Sequence, residues 1–145
     1  MMVIPAVDLR GGRCVRLRQG RPEAETVFSD DPVAVARGWA GQGAPRLHVV
    51  DLDGAFAGTP KQMELIEEIA RSIPVPVEAG GGLRSLEAVE TLLASGARWA
   101  ILGTRAALDS LTAGQAGLAA GLARAAGLAL AAGSAFAGLA LPAWA

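Results

Sequence analysis

The sequence predicts an α/β protein built from parallel βα units, and three observations favour that class. Short apolar runs of strand length alternate with amphipathic helical patterns as far as Asp109. Each run stops at a carboxylate or a small residue, and three consecutive glycines follow one of them. Because successive parallel strands need helical crossovers, this alternation leaves a doubly wound sheet or a βα barrel as the architecture.

The first βα unit combines a short strand with a clearly marked helix. The run MVIPAVD closes at Asp8, which predicts a buried strand with this acid at its carboxyl end. A Gly-Gly turn leads to residues 14–17, which we expect to be a short strand or an extended loop. Asp31 before Pro32 predicts an N-cap followed by proline at the first helical position, and Gly43 ends that helix.

The second unit repeats this design. LHVVD stops at Asp51 and continues as the turn sequence D-L-D-G. We interpret Asp51 and Asp53 first as loop formers, because acids in such turns commonly hold the loop through local hydrogen bonds. Thr59 and Gln62 form a capping box that predicts the start of the next helix. The apolar stripe of this helix consists of Met63, Ile66, Ile69 and Ala70.

Two further strands complete the pattern. Residues 75–79 form an apolar, β-branched run that leads into the glycine turn. Ser85 is the expected cap of a third helix, which Gly96 ends. Residues 99–102 predict a fourth strand, so we expect four βα units in all.

In both architectures ligands meet the carboxyl ends of the strands, so these ends define the candidate site. The residues expected at this rim are Asp8, Asp51, Glu78 and Gly103. No G-x-G-x-x-G pattern follows the first strand, which disfavours dinucleotide binding and favours a barrel-type site.

Asp8 is the best candidate for chemistry at this rim. A carboxylate at a partly desolvated strand end can have its pKa raised into the range of a general base. The alternative is a structural acid that caps nearby amides or pairs with one of the arginines at positions 10, 13, 16 and 18.

The glycine turn is the candidate anion site. Glycines 80–82 precede Arg84, so backbone amides, a helix dipole and a guanidinium could together hold a phosphate. Gly103 and Thr104 form a second strand end of small residues beside them. The alternative is a flexible strand-to-helix turn that binds nothing.

His48 and Cys14 are each the only residue of their type. In a regular strand the His48 side chain points opposite to that of Asp51, so we expect a core histidine rather than a catalytic one. Cys14 cannot form an internal disulfide and is expected to be a small buried hydrophobe.

Composition narrows the classes of partner. Of the 145 residues, 52% are hydrophobic and 19% are charged, which is enough for a core without disulfides or metal. The net charge of -1 and the lack of a Lys/Arg block disfavour nucleic acid and membrane surfaces, so a small molecule is the expected partner. No secretory signal is seen at the N-terminus, so we expect a reduced, cytoplasmic protein.

The chain divides into two unlike parts, residues 1–109 and 110–145. All fourteen Asp and Glu residues lie at or before Asp109, and the second part is rich in Ala, Gly and Leu with Arg124 as its only charge. The run from 125 to 141 approaches the length of a membrane span, but its alanines and glycines make it weakly hydrophobic. The other interpretations of this tail are a helical cover over an open sheet edge, a shifted reading frame and a truncated product.

Four motifs carry a resemblance to a known family: IPAVDLRGGRCVRLRQG, LHVVDLDGAFAGTP, VPVEAGGGLRS and AILGT. They resemble the successive strand-end motifs of the histidine-biosynthesis isomerases over residues 2–109. The D-L-x-G-G-x-x-V-R-L form separates them from the related cyclase subunit of imidazole-glycerol-phosphate synthase. The resemblance implies the first half, about four βα units, of a (βα)8 barrel of the TIM type.

The resemblance also implies a reaction and its residues. The family converts the aldose phosphoribosylformimino-AICAR phosphate to its ketose by an Amadori rearrangement without metal or organic cofactor. Asp8 matches the proton acceptor of the first half. The residues that match the phosphate-binding side are Gly81, Gly82, Arg84, Gly103 and Thr104.

One departure from the family limits this inference. The second catalytic aspartate of the family ends the fifth strand, and the corresponding segment here, LARAAGLALAAG, has no carboxylate. We therefore expect this chain alone to turn over substrate far more slowly than a complete isomerase. The alternatives are a non-catalytic phosphate-binding half barrel, which could work as a self-associated oligomer, and a membrane-tethered fragment.

Overall fold

Four parallel strands form the centre of the structure, a computed structural model that describes residues 1–103. The strands are β1 (Ala6–Arg10), β2 (Arg13–Leu17), β3 (Glu25–Ser29), β4 (Leu47–Asp51), β5 (Val77–Gly80) and β6 (Trp99–Ile101). The helices are α1 (Pro32–Gly41), α2 (Leu52–Ala57), α3 (Met63–Ser72) and α4 (Leu86–Ala94), and a short 3-10 turn covers Arg18–Gly20.

The sheet has the order β3-β2-β1-β4-β5-β6. The neighbours β1, β4, β5 and β6 pair in parallel, which confirms the predicted βα architecture, and β2 and β3 extend one edge as antiparallel strands. The predicted extended segment after the Gly-Gly turn is β2, whereas β3 was not predicted. Val27 and Phe28 in β3 are 41% and 66% exposed, so this strand lacks the buried apolar run that marks the others.

Cross-strand register arranges the parallel strands in rows. Ala6, His48, Glu78 and Trp99 form one row, and the next row towards the carboxyl edge consists of Asp8, Val50, Gly80 and Ile101. Paired residues of a sheet point to the same face, and so do residues two apart along a strand. All eight positions therefore share one face, which is the face away from the helices.

The helices cover the opposite face of the sheet. The core residues on this face of the parallel strands are Val7, Leu9, Leu47, Val49, Val77, Ala79 and Ala100, and Leu102 follows just after β6. Ile66 and Ile69 of α3 and Leu92 of α4 pack into this core with at most 2% of their surface exposed. Burying each such side chain contributes about 1.5–3 kcal/mol, so this layer holds the sheet together.

Two of the three predicted helix caps are confirmed. Asp31 accepts the N–H of Ala34 at 2.9 Å, and Ser85 accepts that of Ala88 at 3.2 Å. The capping box predicted at Thr59 and Gln62 is wrong, because Gln62 itself is the N-cap of α3 and makes no side-chain cap bond. Its side chain is instead used in a contact with another loop, described below.

Several expectations lie outside the described residues. These are the helix of the fourth unit, the division at residue 109, the interpretations of the tail, and Thr104. Within residues 1–103, no helix is long and apolar enough to cross a membrane.

Candidate active site

Asp8 lies within β1, on the open face of the sheet. The prediction that it ends its strand is wrong, because β1 continues to Arg10 as it pairs with β2. Asp8 is nevertheless level with Gly80 and Ile101, which end β5 and β6.

The Asp8 side chain is half-buried between β2 and β4. Burial raises the pKa of Asp8, while the charges of His48 and Arg16 act in the opposite direction. The carboxylate is thus a stronger base than an exposed aspartate, and two cationic side chains limit the effect.

His48 and Glu78 form a polar pair one row below Asp8. His48 Nδ1 lies 3.0 Å from one Glu78 carboxylate oxygen, and Arg46 Nη1 donates to the other oxygen at 3.0 Å. The Arg46 guanidinium also lies over the Trp99 ring, 4.2 Å from its centroid. These four residues form a cluster that we call the Glu78 cluster.

The Glu78 cluster changes two expectations. The prediction that Glu78 lies at the carboxyl rim is wrong: Gly80 ends β5, and Glu78 is level with His48 near the start of the strands. The expected strand end at Glu78 is wrong because β5 continues for two more residues, to Gly80. Alternation along V-E-A-G also puts Glu78 on the face opposite the core. His48 likewise lies on the open face, opposite the direction of Asp51 as predicted but outside the apolar core.

Asp51 holds the loops around the carboxyl edge. Its side chain is 1% exposed and accepts three backbone N–H groups, from Gly54 at 2.6 Å, Lys61 at 2.6 Å and Gln62 at 2.9 Å. These bonds cap α2 and fix the start of α3. The interpretation of Asp51 as a loop former is therefore confirmed.

The glycine turn is packed tightly against the loop that follows β4. Gly81 and Gly82 have φ angles of 116° and 74°, which L-residues with side chains rarely adopt. A Cβ atom on Gly82 would lie 2.6 Å from the carbonyl oxygen of Gly54. The glycines are therefore required for close contact between two loops, whether or not the turn also binds an anion.

The other residues of the predicted anion site are placed differently. The Arg84 guanidinium lies against Gly58, in the loop after α2. Gly103 is exposed just beyond the end of β6, and Thr104 lies outside the described residues. The phosphate site stays a prediction.

Cys14 is buried, 5% exposed, on the edge of the core. Burial, with smaller contributions from the negative charges of Asp31 and Asp8, raises its pKa to about 11. A thiol in this environment is unreactive, in agreement with the expected role of Cys14 as a small hydrophobe.

The parallel strands, their helices on one face, and the polar groups on the other define the class of the protein. The arrangement is that of a partial TIM-type barrel, with its candidate site at the carboxyl end of the strands. Among residues 1–103, no group of three or more His, Cys, Asp or Glu side chains is placed to hold a metal ion.

Comparison with known proteins identifies the family. Residues 2–120 match the family described as Histidine biosynthesis protein, and the chain belongs to it. A curated relative from Moorella thermoacetica is 64% identical over 104 residues, which are 72% of this chain and 43% of the relative. Relatives from Pelotomaculum thermopropionicum (60% over 108 residues; 74% and 42%) and Nitrosococcus oceani (58% over 107 residues; 73% and 43%) match similarly.

All three relatives carry the name 1-(5-phosphoribosyl)-5-((5-phosphoribosylamino)methylideneamino)imidazole-4-carboxamide isomerase. The chain spans less than half the length of each of them.

Proposed function

We propose that this chain contributes the first half of the site of an aldose-ketose isomerase in L-histidine biosynthesis. The reaction is the Amadori rearrangement of phosphoribosylformimino-AICAR phosphate. The observation that supports this most directly is Asp8, a half-buried carboxylate with a raised pKa on the open face of the sheet, in a sequence 64% identical to a named isomerase. The proposal needs no metal and no organic cofactor.

Asp8 acts in this proposal as the general base that takes the proton from C2 of the sugar. A base must be ionised before it accepts a proton, yet a carboxylate that is too acidic accepts it poorly. Burial strengthens Asp8 as a base, and the nearby charges of His48 and Arg16 favour its ionised form. The general acid that opens the ribosyl ring is not assigned to any residue between 1 and 103.

One phosphate of the substrate is proposed to bind beside the glycine turn. Gly81 and Gly82 shortly precede α4, and the N-terminus of a helix favours an anion. Arg84, Gly103 and Thr104 complete the proposed contact. The relatives' names contain two phosphoribosyl groups, which agrees with a doubly phosphorylated ligand.

The partner proposed for this chain is therefore a phosphorylated ribosyl compound, not nucleic acid and not a membrane. Such a compound is highly charged and crosses membranes poorly, so we place the reaction in the cytoplasm. Self-association of two chains is a further part of the proposal, because it would cover the open face that bears Trp99 and Ile101.

A second candidate function is a phosphate-binding half barrel without catalysis. It is favoured by one observation: the segment LARAAGLALAAG, where the resemblance places the second catalytic aspartate, has no carboxylate. Loss of a general acid typically costs about 10²- to 10⁴-fold in rate, so a chain without one would bind substrate but turn it over very slowly.

A chimera tests whether these residues support isomerase chemistry. Residues 1–103 replace the matching segment of the Moorella thermoacetica isomerase, and the gene is introduced into a bacterial strain that lacks its own isomerase. We expect growth without histidine from the chimera and from its Asp31→Asn control, which alters only an exposed helix cap. The Asp8→Asn chimera should not grow, and growth equal to the control would refute the proposed role of Asp8.

The unmodified chain distinguishes the two candidates. Two experiments are done on this chain: its turnover of the isomerase substrate is measured, and it is titrated with inorganic phosphate and followed by NMR. Phosphate-induced shifts at Gly81 and Gly82 without measurable turnover would favour the half barrel for the chain alone. Shifts confined to other residues would contradict the phosphate site in both versions of the proposal.

A further inference from the structure

The Glu78 carboxylate has a partner on each of its two oxygens, and both partners come from the start of β4. Arg46 occupies one oxygen at 3.0 Å and His48 Nδ1 the other at 3.0 Å. The Glu78 side chain is 13% exposed and that of His48 is 17% exposed, so water competes little for these contacts. Both charge-assisted contacts therefore fix the carboxylate in one orientation.

Arg46 is itself held in place. Its guanidinium lies 4.2 Å from the centroid of the Trp99 ring, on the strand that flanks β5. Stacking on an aromatic face restricts a long side chain that would otherwise move freely. Trp99 thus restricts Arg46, and Arg46 in turn orients the Glu78 carboxylate.

The contact with Glu78 determines the proton position on the His48 ring. An ionised carboxylate only accepts hydrogen bonds, so the His48 Nδ1 atom must be the donor. This selects either the Nδ1-H form of the neutral ring or the doubly protonated ring.

His48 connects the Glu78 cluster to Asp8. It lies on the strand beside β1, one row below Asp8 and on the same face of the sheet. The charge of His48 is the larger of the two effects that lower the pKa of Asp8, the other being that of Arg16. Glu78, which contacts this ring, is thereby connected to Asp8.

We propose that Glu78 is a positioning residue for Asp8, which fixes the proton and orientation of the His48 ring so that the ring acts on the Asp8 carboxylate. This inference rests on the proposed role of Asp8 as the general base. It adds to the site the Glu78 cluster, which lies one row below Asp8 and further from the rim. The charged and titratable groups that act on Asp8 in this arrangement are His48 from β4 and Arg16 from β2, and Cys14 of β2 also interacts with it electrostatically.

Glu78→Gln provides a sharp test because the substitution keeps shape and removes charge. An amide has one acceptor and one donor end. Its oxygen should turn to Arg46, which can only donate, so that the NH₂ group faces His48 Nδ1. The His48 ring must then accept at Nδ1 and carry its proton on Nε2.

The experiment uses the full chain and does not depend on turnover. His48 is the only histidine, so ¹⁵N NMR of its ring reports the proton position without ambiguity. We expect Nδ1 to be protonated in the parent chain and the proton to move to Nε2 in Glu78→Gln at a pH where the ring is neutral. The titration of the Asp8 carboxyl, followed by ¹³C NMR, should change in the variant, because the ring that acts on it carries its proton on a different nitrogen.

Two further variants keep the test decisive. Glu90→Gln removes an exposed carboxylate from α4 and should change neither signal. Arg46→Gln removes one of the two partners of Glu78. We expect it to change the ¹⁵N signals of the His48 ring and, through the ring, the titration of Asp8. Far-UV circular dichroism verifies that each variant is folded. The proposal would be overturned if folded Glu78→Gln showed the same ring shifts and the same Asp8 titration as Glu90→Gln. This outcome would count against the role of Glu78 even if the chimera described above is active.

Discussion

Asp53 accepts the backbone N–H of Gly11 through Oδ2 at 2.6 Å, although 42 positions separate the two residues. The same oxygen accepts the side chain of Gln62 at 2.6 Å. One carboxylate therefore joins the turn between β1 and β2 to the loop that precedes α3. Asp8 lies on β1 three residues before Gly11, so Asp53 fixes the turn that follows the strand of Asp8.

The first prediction concerns this link. Asp53→Ala should lower the free energy of unfolding by about 1–2 kcal/mol, because hydrogen bonds to a partly exposed charged group contribute about this much. Hydrogen exchange at the Gly11 amide should become faster. Asp30→Ala, at an exposed aspartate, is the control in both urea unfolding and exchange measurements. Unchanged protection of the Gly11 amide would show that the turn is fixed by other contacts.

The second prediction compares two aspartates that cap helices in different surroundings. Asp51 is buried and accepts three N–H groups, so Asp51→Asn would direct an amide donor at backbone donors. A loss of about 3 kcal/mol or more in unfolding free energy is expected. Asp31→Asn, at an exposed N-cap, should cost well under 1 kcal/mol because asparagine also caps well. Equal costs in urea titrations would contradict the role of Asp51 as the anchor of these loops.

The third prediction separates backbone strain from close packing at glycine. Gly82 and Gly43 have similar φ angles of 74° and 86°, but only at Gly82 would a Cβ atom clash, at 2.6 Å from the Gly54 carbonyl oxygen. Gly43→Ala should cost about 1 kcal/mol, the cost of a left-handed conformation. Gly82→Ala should cost about 1–3 kcal/mol more through overpacking. Thermal unfolding of both variants measures the difference, and equal melting temperatures would argue against tight loop contact.

Sequence patterns predict those parts of the fold where a local signal and the tertiary structure agree. Asp31 and Ser85 cap helices as expected because their side chains reach amides three residues away, within the same segment. The parallel strands were found because each buries apolar residues against the helices. Asp8 was singled out because it closes the apolar run MVIPAVD, and its catalytic role stays a prediction.

The features that were missed depend on partners far away in the chain. Gln62 does not serve a capping box because its side chain contacts Asp53, nine residues earlier, in another loop. Glu78 was assigned to the rim because nothing local shows that it lies level with His48, 30 residues before it. Strict alternation within L-H-V-V-D and V-E-A-G is the signal that could have placed both on the open face.

The fourth prediction concerns the reactivity of Cys14. Its pKa of about 11, against an ordinary value of 9.0, lowers the thiolate fraction at pH 8 roughly 100-fold. Burial of the sulfur reduces access further. Iodoacetamide should thus modify the native chain at least about 100-fold more slowly than the chain unfolded in urea. Equal rates, measured by mass spectrometry, would show that the edge of the core near β2 opens readily.

The last prediction is that Asp8, the proposed general base, lowers the stability of the folded chain at neutral pH. Burial raises the pKa of this carboxyl above its ordinary value of 3.8, so folding favours the protonated form. The contribution of protonated Asp8 to the free energy of unfolding is fully present below pH 3.8. It is lost as the pH rises through the raised pKa that Asp8 has in the folded chain. At neutral pH the ionised carboxylate therefore lowers the stability of the native chain. Asp8→Asn removes this charge and should make the chain more stable at pH 7, with no difference at pH values where Asp8 is protonated in both states.

The measurement is urea unfolding of both proteins at a series of pH values across this range, with Asp31→Asn as a control that keeps Asp8. We expect Asp8→Asn to increase stability by an amount that grows with pH, and the Asp8→Asn chimera not to grow. Together these results would show that Asp8 lowers the stability of the fold and is needed for the proposed reaction. A loss of stability at neutral pH would mean that His48 and Arg16 outweigh burial, and that Asp8 is an ion-paired structural acid, as the alternative interpretation of the sequence holds.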